Sequence, residues 1–397
     1  MKAIRPAVLL WVVLVLFAQV NWTVAGEESS MPGERSKTIE FTGRLRTGIA
    51  AIGGETTGIV ISANEKTYEL DVGNAPRLQR LAENLNEKDV VVKGTLERKR
   101  GVEIRERWII TVADLRAAVK GGNGQIAIED NLTYGNAGDT ELKLDLARPQ
   151  GEGPFPAIVF IHGGGWYQGS RQGYRGEIQE AARRGYVAAT ISYRLMQFDQ
   201  AKKETTTATP IFPAQIHDAK AAIRWVRANA KKYHVNPDRI GVTGGSAGGH
   251  LSLLVGLTEP ASNLEGESGN PDQSSRVQAV VNVFGPTDMA FCHQKSSVAW
   301  IFRLIMGGTP SEASERYKAA SPLTYVSKDD PPVLTLHGDK DALVPVEQAR
   351  VLDEKMKAVG ANHTLMVFEG QGHGFGGEHG KKAADATWDF FDQHLKP

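Results

Sequence analysis

The sequence predicts two domains in series, a small all-β domain followed by an α/β domain whose mostly parallel sheet carries helices on both faces. Three observations predict this. Residues 38–117 are short alternating polar and apolar stretches broken by Gly-rich turns. From Gln125 to the end, buried-strand runs alternate with helical stripes. Between the two lies a segment, residues 118–124, containing Lys120-Gly-Gly-Asn-Gly124, which has the composition of a linker. A length of 397 residues suits such an arrangement.

The first elements concern export. Lys2 and Arg5 precede an apolar run from Ala7 to Ala18, and Thr23-Val24-Ala25 offers small residues before Gly26. This is the pattern of a cleaved secretory signal over residues 1–25 and predicts a periplasmic or secreted protein. The apolar run is short for a membrane span of ~20 residues, so no stable anchor is expected after cleavage, an uncleaved anchor being the alternative. Residues 26–37, polar and containing Pro32 and Gly33, read as a flexible lead-in. Cys292 is the sole cysteine, which excludes an intrachain disulfide. Lys plus Arg and Asp plus Glu both number 46, a balance that gives no electrostatic case for nucleic acid or an anionic membrane.

In residues 38–117, strands are expected at Ile39-Glu-Phe41, Tyr68-Glu-Leu70-Asp-Val72 and Val90-Val-Val92, with turns at Gly53-Gly54 and Gly101. Pro76 to Leu85 places Leu78, Leu81 and Leu85 on one helical face. Three strands, a helix and two strands is the order of an OB-fold barrel. The hairpin Glu97 to Arg107 is locally basic, but acidic residues interrupt it and no aromatic platform accompanies it, which favours a solvated hairpin over a polyanion site.

In residues 125–397, Ala157 to Ile161, Val187 to Ile191, Arg239 to Thr243, Val277 to Val283, Pro332 to Leu336 and Thr364 to Phe368 read as strands. Pro213 to Tyr233 reads as one helix with Ile216, Ala219, Ile223, Val226 and Ala230 on a stripe, and Val346 to Val359 and Lys381 to Leu395 as further helices.

Four Gly-rich segments follow strands in this domain and carry the chemistry. Gly244-Gly-Ser246-Ala-Gly248 lies between a strand and the apolar stretch from His250 to Leu257, the strand, tight turn and helix that a nucleophilic serine needs. His162-Gly-Gly-Gly-Trp166 opens a strand end into exposed backbone N–H groups, and Gly164 and Gly165 with the N–H of Ala247 can hold a developing oxyanion. His162 itself reads as structural. In His337-Gly-Asp-Lys-Asp341, Asp341 is chosen to orient a histidine, with Asp339 as a turn former. In Gly370-Gln-Gly-His373-Gly-Phe375, His373 is the general-base candidate. The chain order Ser246, Asp341, His373 matches nucleophile, orienting acid and base. Such a set forms an acyl-enzyme that water hydrolyses, and this chemistry calls for no metal or organic cofactor.

These motifs resemble the α/β-hydrolase superfamily, and more narrowly its carboxylesterase branch of feruloyl-esterase-like, acetylxylan-esterase-like and hormone-sensitive-lipase-like enzymes. The resemblance covers Gln125 to Pro397 and does not extend to the all-β domain. It implies an α/β-hydrolase fold and the oxyanion role of Gly164, Gly165 and Ala247. It also implies a lining or supporting role for Phe284-Gly-Pro-Thr-Asp288. The expected substrate is a small-molecule or polysaccharide-linked carboxylic ester, acetyl or feruloyl, contacted by Trp166, Asp288 and Phe291. Between Asp288 and Pro322, the apolar residues Phe291, Trp300, Ile301, Phe302, Leu304 and Ile305 suit either a pocket wall or a core helix. A prolyl-oligopeptidase-type peptidase shares the triad and its order, and an arylformamidase-like amide hydrolase is a further alternative. A binding protein on an inactive scaffold is the non-enzymatic alternative.

Overall fold

The computed structural model of the chain describes residues 37–49, 57–63, 66–99, 107–117, 125–202 and 206–396. The expected signal, residues 26–36 of the lead-in, the Gly53-Gly54 turn, the tip of the basic hairpin and the linker over 118–124 lie outside the described residues.

The all-β domain runs β1 (Lys37–Thr47), β2 (Ile59–Ala63), β3 (Lys66–Asp71), α1 (Pro76–Asn84), β4 (Asp89–Lys99) and β5 (Arg107–Ala117), the expected order. The strands close into a barrel in the order β1-β2-β3-β5-β4. Alternation sends Leu45, Ile61, Leu70, Val90, Val92 and Ile110 inward. Closure leaves no free sheet edge. Pro76 starts α1, where a missing N–H costs nothing. The barrel meets the α/β domain through ionic contacts: Arg77 of α1 pairs with Asp389, and Asp114 of β5 lies 3.7 Å from Arg184.

The α/β domain continues with β6 (Ile126–Ala137), β7 (Thr140–Pro149), β8 (Phe155–Ile161), α2 (Arg175–Arg183), β9 (Val187–Ile191), α3 (Ala214–Ala228) and α4 (Ala230–Tyr233). There follow β10 (Val235–Gly245), α5 (Ala247–Leu257), β11 (Ala279–Val283), α6 (Met289–Lys295), α7 (Ala299–Met306) and α8 (Ser314–Ala319). The chain ends with β12 (Val333–Gly338), α9 (Glu347–Val359), β13 (His363–Phe368) and α10 (Gly377–Leu395). The eight strands lie in the order β13-β12-β11-β10-β8-β9-β7-β6. Pairing is parallel from β13 to β9 and antiparallel for β7 with β9 and β6 with β7.

Two features differ from expectation. The β6–β7 hairpin is additional, turning at Gly138 with φ +61°. Its signal is Leu142, Leu144 and Leu146, spaced by two and buried. The single helix expected from Pro213 to Tyr233 breaks at Asn229, whose side chain donates to Trp225 O at 2.9 Å, so α3 and α4 are separate.

Both sheet faces are covered. Ile158 and Phe160 pack with Ile178 of α2 and Phe391 of α10, while Val159 and Ile161 pack with Ile223 of α3 and Leu251 of α5. Strand alternation alone assigns these neighbours to opposite faces. Because β8, β10, β11, β12 and β13 are parallel, their carboxyl ends share one edge, where α/β folds place their ligands. Among the described residues, no helix is long and apolar enough to cross a membrane.

Candidate active site

Ser246 sits between β10 and α5 with φ 58° and ψ −119°, a sparsely populated conformation for a residue with a side chain. Such strain costs on the order of 1–3 kcal/mol and persists only where surroundings enforce it. Here the Ser246 N–H donates to Val283 O and Ser246 O accepts from His250 N, each at 2.9 Å. The flanking glycines are steric necessities. A Cβ on Gly244 would lie 2.3 Å from Ile161 O, and one on Gly248 would lie 2.0 Å from the same atom.

After β8 the chain enters three successive left-handed residues, Gly164 (φ +113°), Gly165 (φ +57°) and Trp166 (φ +62°). Gly164 O accepts from the N–H groups of Tyr167 and Gln168. Among the described residues, the N–H groups of Gly164, Gly165 and Ala247 donate to no protein acceptor. His162 steadies the loop: its Nδ1 donates to Gly163 O at 2.8 Å, and its ring stacks on Tyr193 at 4.4 Å. The Tyr193 hydroxyl donates to His162 O.

His373 Nδ1 donates to Asp341 Oδ2 at 2.6 Å. That bond leaves Nε2 to accept a proton. Asp341 Oδ1 accepts from the N–H groups of Leu343 and Val344, each at 2.9 Å. Burial works against the Asp341 charge, but hydrogen bonds from His337, His373 and Val344 outweigh it and hold the carboxyl well below its usual range.

The two loops are laced together. Asp339 accepts from Gly370 N, and Lys340 N donates to Gln371 O. A Cβ on Gly338 would lie 2.3 Å from Gln371 O, so the His373 loop passes directly over the end of β12.

Ser246, His373, Gly164 and Gly165 line one cavity of about 420 Å³. No hydrogen bond joins Ser246 Oγ to His373 among the described residues. Bonds of this kind commonly tighten only when substrate is bound. Apart from Gln168, the rest of the wall is largely apolar and includes Tyr167, Phe284, Trp300, Ile301, Phe302 and Leu343.

The expected substrate contacts divide. Trp166 lines the cavity but is only 3% exposed, held edge-on to His250 and Phe302 at 5.1 and 5.8 Å. Asp288 and Phe291 do not line it. Asp288 Oδ1 instead accepts from Ala290 N and Phe291 N at 3.0 Å, capping α6, because a short polar side chain before a helix satisfies its free N–H groups. Between Asp288 and Pro322, Trp300, Ile301 and Phe302 form cavity wall while Leu304 and Ile305 join the core.

The sequence reading missed His337. It is fully buried, with Nε2 2.8 Å from Val344 O and 3.5 Å from Asp341 Oδ2. Its position at the end of β12, in the motif that supplies Asp341, was the available signal.

A family model described as BD-FAE matches residues 144–356. Esterase LipC of Mycobacterium tuberculosis is 35% identical over 56% of this chain and 53% of its own. The chain spans about half the length of the curated relatives it matches. Among solved structures, a truncated carbohydrate esterase from gut microbiota is 30% identical with a TM-score of 0.56, covering 67% of this chain and 96% of its own. The propionate-bound Est2 esterase of Thermogutta terrifontis is 29% identical with a TM-score of 0.56, covering 68% of this chain and 96% of its own. Motif order, sheet topology and these matches agree: the chain belongs to the BD-FAE family of α/β-hydrolase carboxylesterases.

Proposed function

We propose that the protein hydrolyses carboxylic esters through an acyl-enzyme on Ser246. The observation that carries this reading is the 2.6 Å His373–Asp341 hydrogen bond at the rim of the cavity that holds the strained Ser246 turn. His373 Nε2 takes the Ser246 proton as Oγ attacks the ester carbonyl, and returns it to the departing alcohol. Asp341 holds the ring and balances the imidazolium charge. The N–H groups of Gly164, Gly165 and Ala247 receive the oxyanion. Water, activated by the same histidine, then releases the acid.

Short esters of sugars, acetyl or feruloyl groups on plant polysaccharide, are the substrate class we favour. The carbohydrate esterase among its structural neighbours supports this, as does the apolar cavity with an aromatic wall. The secretory pattern of residues 1–25 supports export to the periplasm or beyond. The strand order β1-β2-β3-β5-β4, with a helix between β3 and β4, supports an OB-like reading of the barrel, and its ionic contacts with Arg184 and Asp389 support a packing role.

The test is turnover of p-nitrophenyl acetate, butyrate and longer esters, with methyl ferulate and acetylated xylan, by the full chain and by Ser246→Ala. An organophosphonate is expected to add one adduct, on Ser246, by intact mass and peptide mapping. A fully active Ser246→Ala, or an adduct elsewhere, overturns the serine mechanism.

A further inference from the structure

Phe284 is, with Ser246 and Trp166, one of the strained residues at the carboxyl edge of the sheet. It follows β11 with φ +43°, a left-handed conformation that a bulky aromatic residue rarely adopts. The turn is tied on both sides. Phe284 N donates to Leu336 O at 2.8 Å, and Gly285 N donates to Asn282 Oδ1 at 2.9 Å. Gly285 has no room for a side chain, since a Cβ would lie 2.5 Å from both Asn282 Oδ1 and His250 N. Residues in such conformations persist where the neighbours over-determine them, and they cluster at sites where the strain serves a purpose.

The strain places the ring in one position. Its centroid is 4.4 Å from that of His373, at 44°. On another side it covers Gly245, where an added Cβ would lie 3.3 Å from the Phe284 ring. Phe375 backs it at 5.4 Å and itself packs on Phe368 at 4.5 Å. The ring therefore touches both the residue before the nucleophile and the imidazole of the base.

Resting on the serine-esterase reading above, we propose that Phe284 is a positioning residue for His373. Asp341 holds the imidazole by one hydrogen bond at Nδ1, which leaves the ring free to swing about that contact. The Phe284 face removes that freedom and keeps Nε2 directed at the Ser246 side of the cavity. The same face is electron-rich, so it attracts the imidazolium that forms when His373 takes the serine proton. Both effects act in acylation and in deacylation, because His373 moves a proton in each.

The experiment compares Phe284→Leu, Phe284→Tyr and Phe284→Gly with the unmodified full chain on p-nitrophenyl acetate, alongside Ser246→Ala. Misplacing a catalytic group by about 1 Å costs ~10²-fold, so Phe284→Leu is expected to lose about 10- to 100-fold in kcat. Since both steps slow together, KM stays within about twofold. Phe284→Tyr keeps the ring and is expected to restore kcat to within about threefold of the parent. Phe284→Gly removes ring and strain together, and is expected to lose kcat at least as far as Phe284→Leu while melting no lower than it.

Unchanged kcat in Phe284→Leu overturns the proposal. So does a raised KM with kcat retained, which would make Phe284 only a wall of the cavity. A fully active Ser246→Ala would remove the serine reading itself, whereas an inactive Ser246→Ala beside an unimpaired Phe284→Leu removes the positioning role alone.

Discussion

Among the described residues, a chain of hydroxyl, imidazole and carboxylate occurs at the cavity that Ser246 lines, and another lies in the neighbouring strands β12 and β13 and helix α9. In the first, Ser246 faces the cavity that His373 also lines, and His373 Nδ1 is 2.6 Å from Asp341. In the second, Thr335 Oγ1 is 2.9 Å from His363 Nε2, and His363 Nδ1 is 2.8 Å from Asp353. By hydrogen bonding alone the second chain is the more complete. Yet Thr335 lies in the middle of β12 and is fully buried, and its hydroxyl also meets Asn282 Nδ2 at 3.4 Å. No substrate can reach it. Ser246 differs in having a backbone bent out of strand geometry, a place in the cavity wall and, among the described residues, neighbouring N–H groups that donate to no protein acceptor. A completed relay of hydrogen bonds stabilises the fold, whereas a relay left open at the serine is available for chemistry.

This contrast can be broken at several points. The largest expected effect is Ser246→Ala, which should lower kcat by about 10⁵- to 10⁶-fold in ester assays. Asp341→Asn should keep the fold but lower kcat by about 10⁴-fold, because the amide favours the wrong histidine tautomer. Gly164→Ala puts a Cβ 2.1 Å from Gln168 O and distorts the oxyanion loop. A loss of about 10²- to 10³-fold in kcat is expected from this change, and near-normal turnover would argue against that loop as the oxyanion site.

The buried imidazoles respond to pH instead. Burial pushes His250 down to about 4, only partly countered by its bond to Ala320 O. Its unfolded value is about 6.5, so the unfolded chain binds the proton first. The contribution is therefore complete above pH ~6.5 and is lost as pH falls toward 4, on the order of 3 kcal/mol in all. Burial shifts His363 in the same direction. Denaturant titrations between pH 7 and 4 should show this fall, and His250→Gln, which keeps a donor toward Ala320, should flatten it. The smallest effect is Thr335→Val. It should leave kcat within about twofold and lower stability by ~1–2 kcal/mol, since it strands the His363 and Asn282 groups. A tenfold loss of activity from this change would mean that the two chains are not independent.

Much of the candidate site is legible because its parts are local. Ser246, Asp341 and His373 each follow a strand-like run and stand among glycines, so the end of the strand and the tightness of the turn could be read from neighbouring residues. The same local grounds make His162 a structural residue, and its Nδ1 donates to Gly163 O. Asp288 and Phe291 were misplaced because their relation to the cavity depends on where α6 packs. An aspartate just before a helix also carries a capping signal, which is the role it takes. The resemblance gave Phe284 a lining or supporting place, but its ring contact with His373 was out of reach, since nothing in Phe-Gly-Pro-Thr-Asp announces a left-handed phenylalanine.

Local residue patterns carry the order of an all-β part before an α/β part, the alternation that covers both sheet faces, and the Gly-bounded turns that hold the candidate nucleophile, acid and base. These depend on side-chain periodicity and on steric limits within a few residues. Three-dimensional packing selects which chain of hydroxyl, imidazole and carboxylate borders the cavity, which apolar residues form wall rather than core, and which ring rests on His373. Those relations join segments such as Gly245, Phe284 and His373, far apart in the chain, and packing alone sets the distances between them.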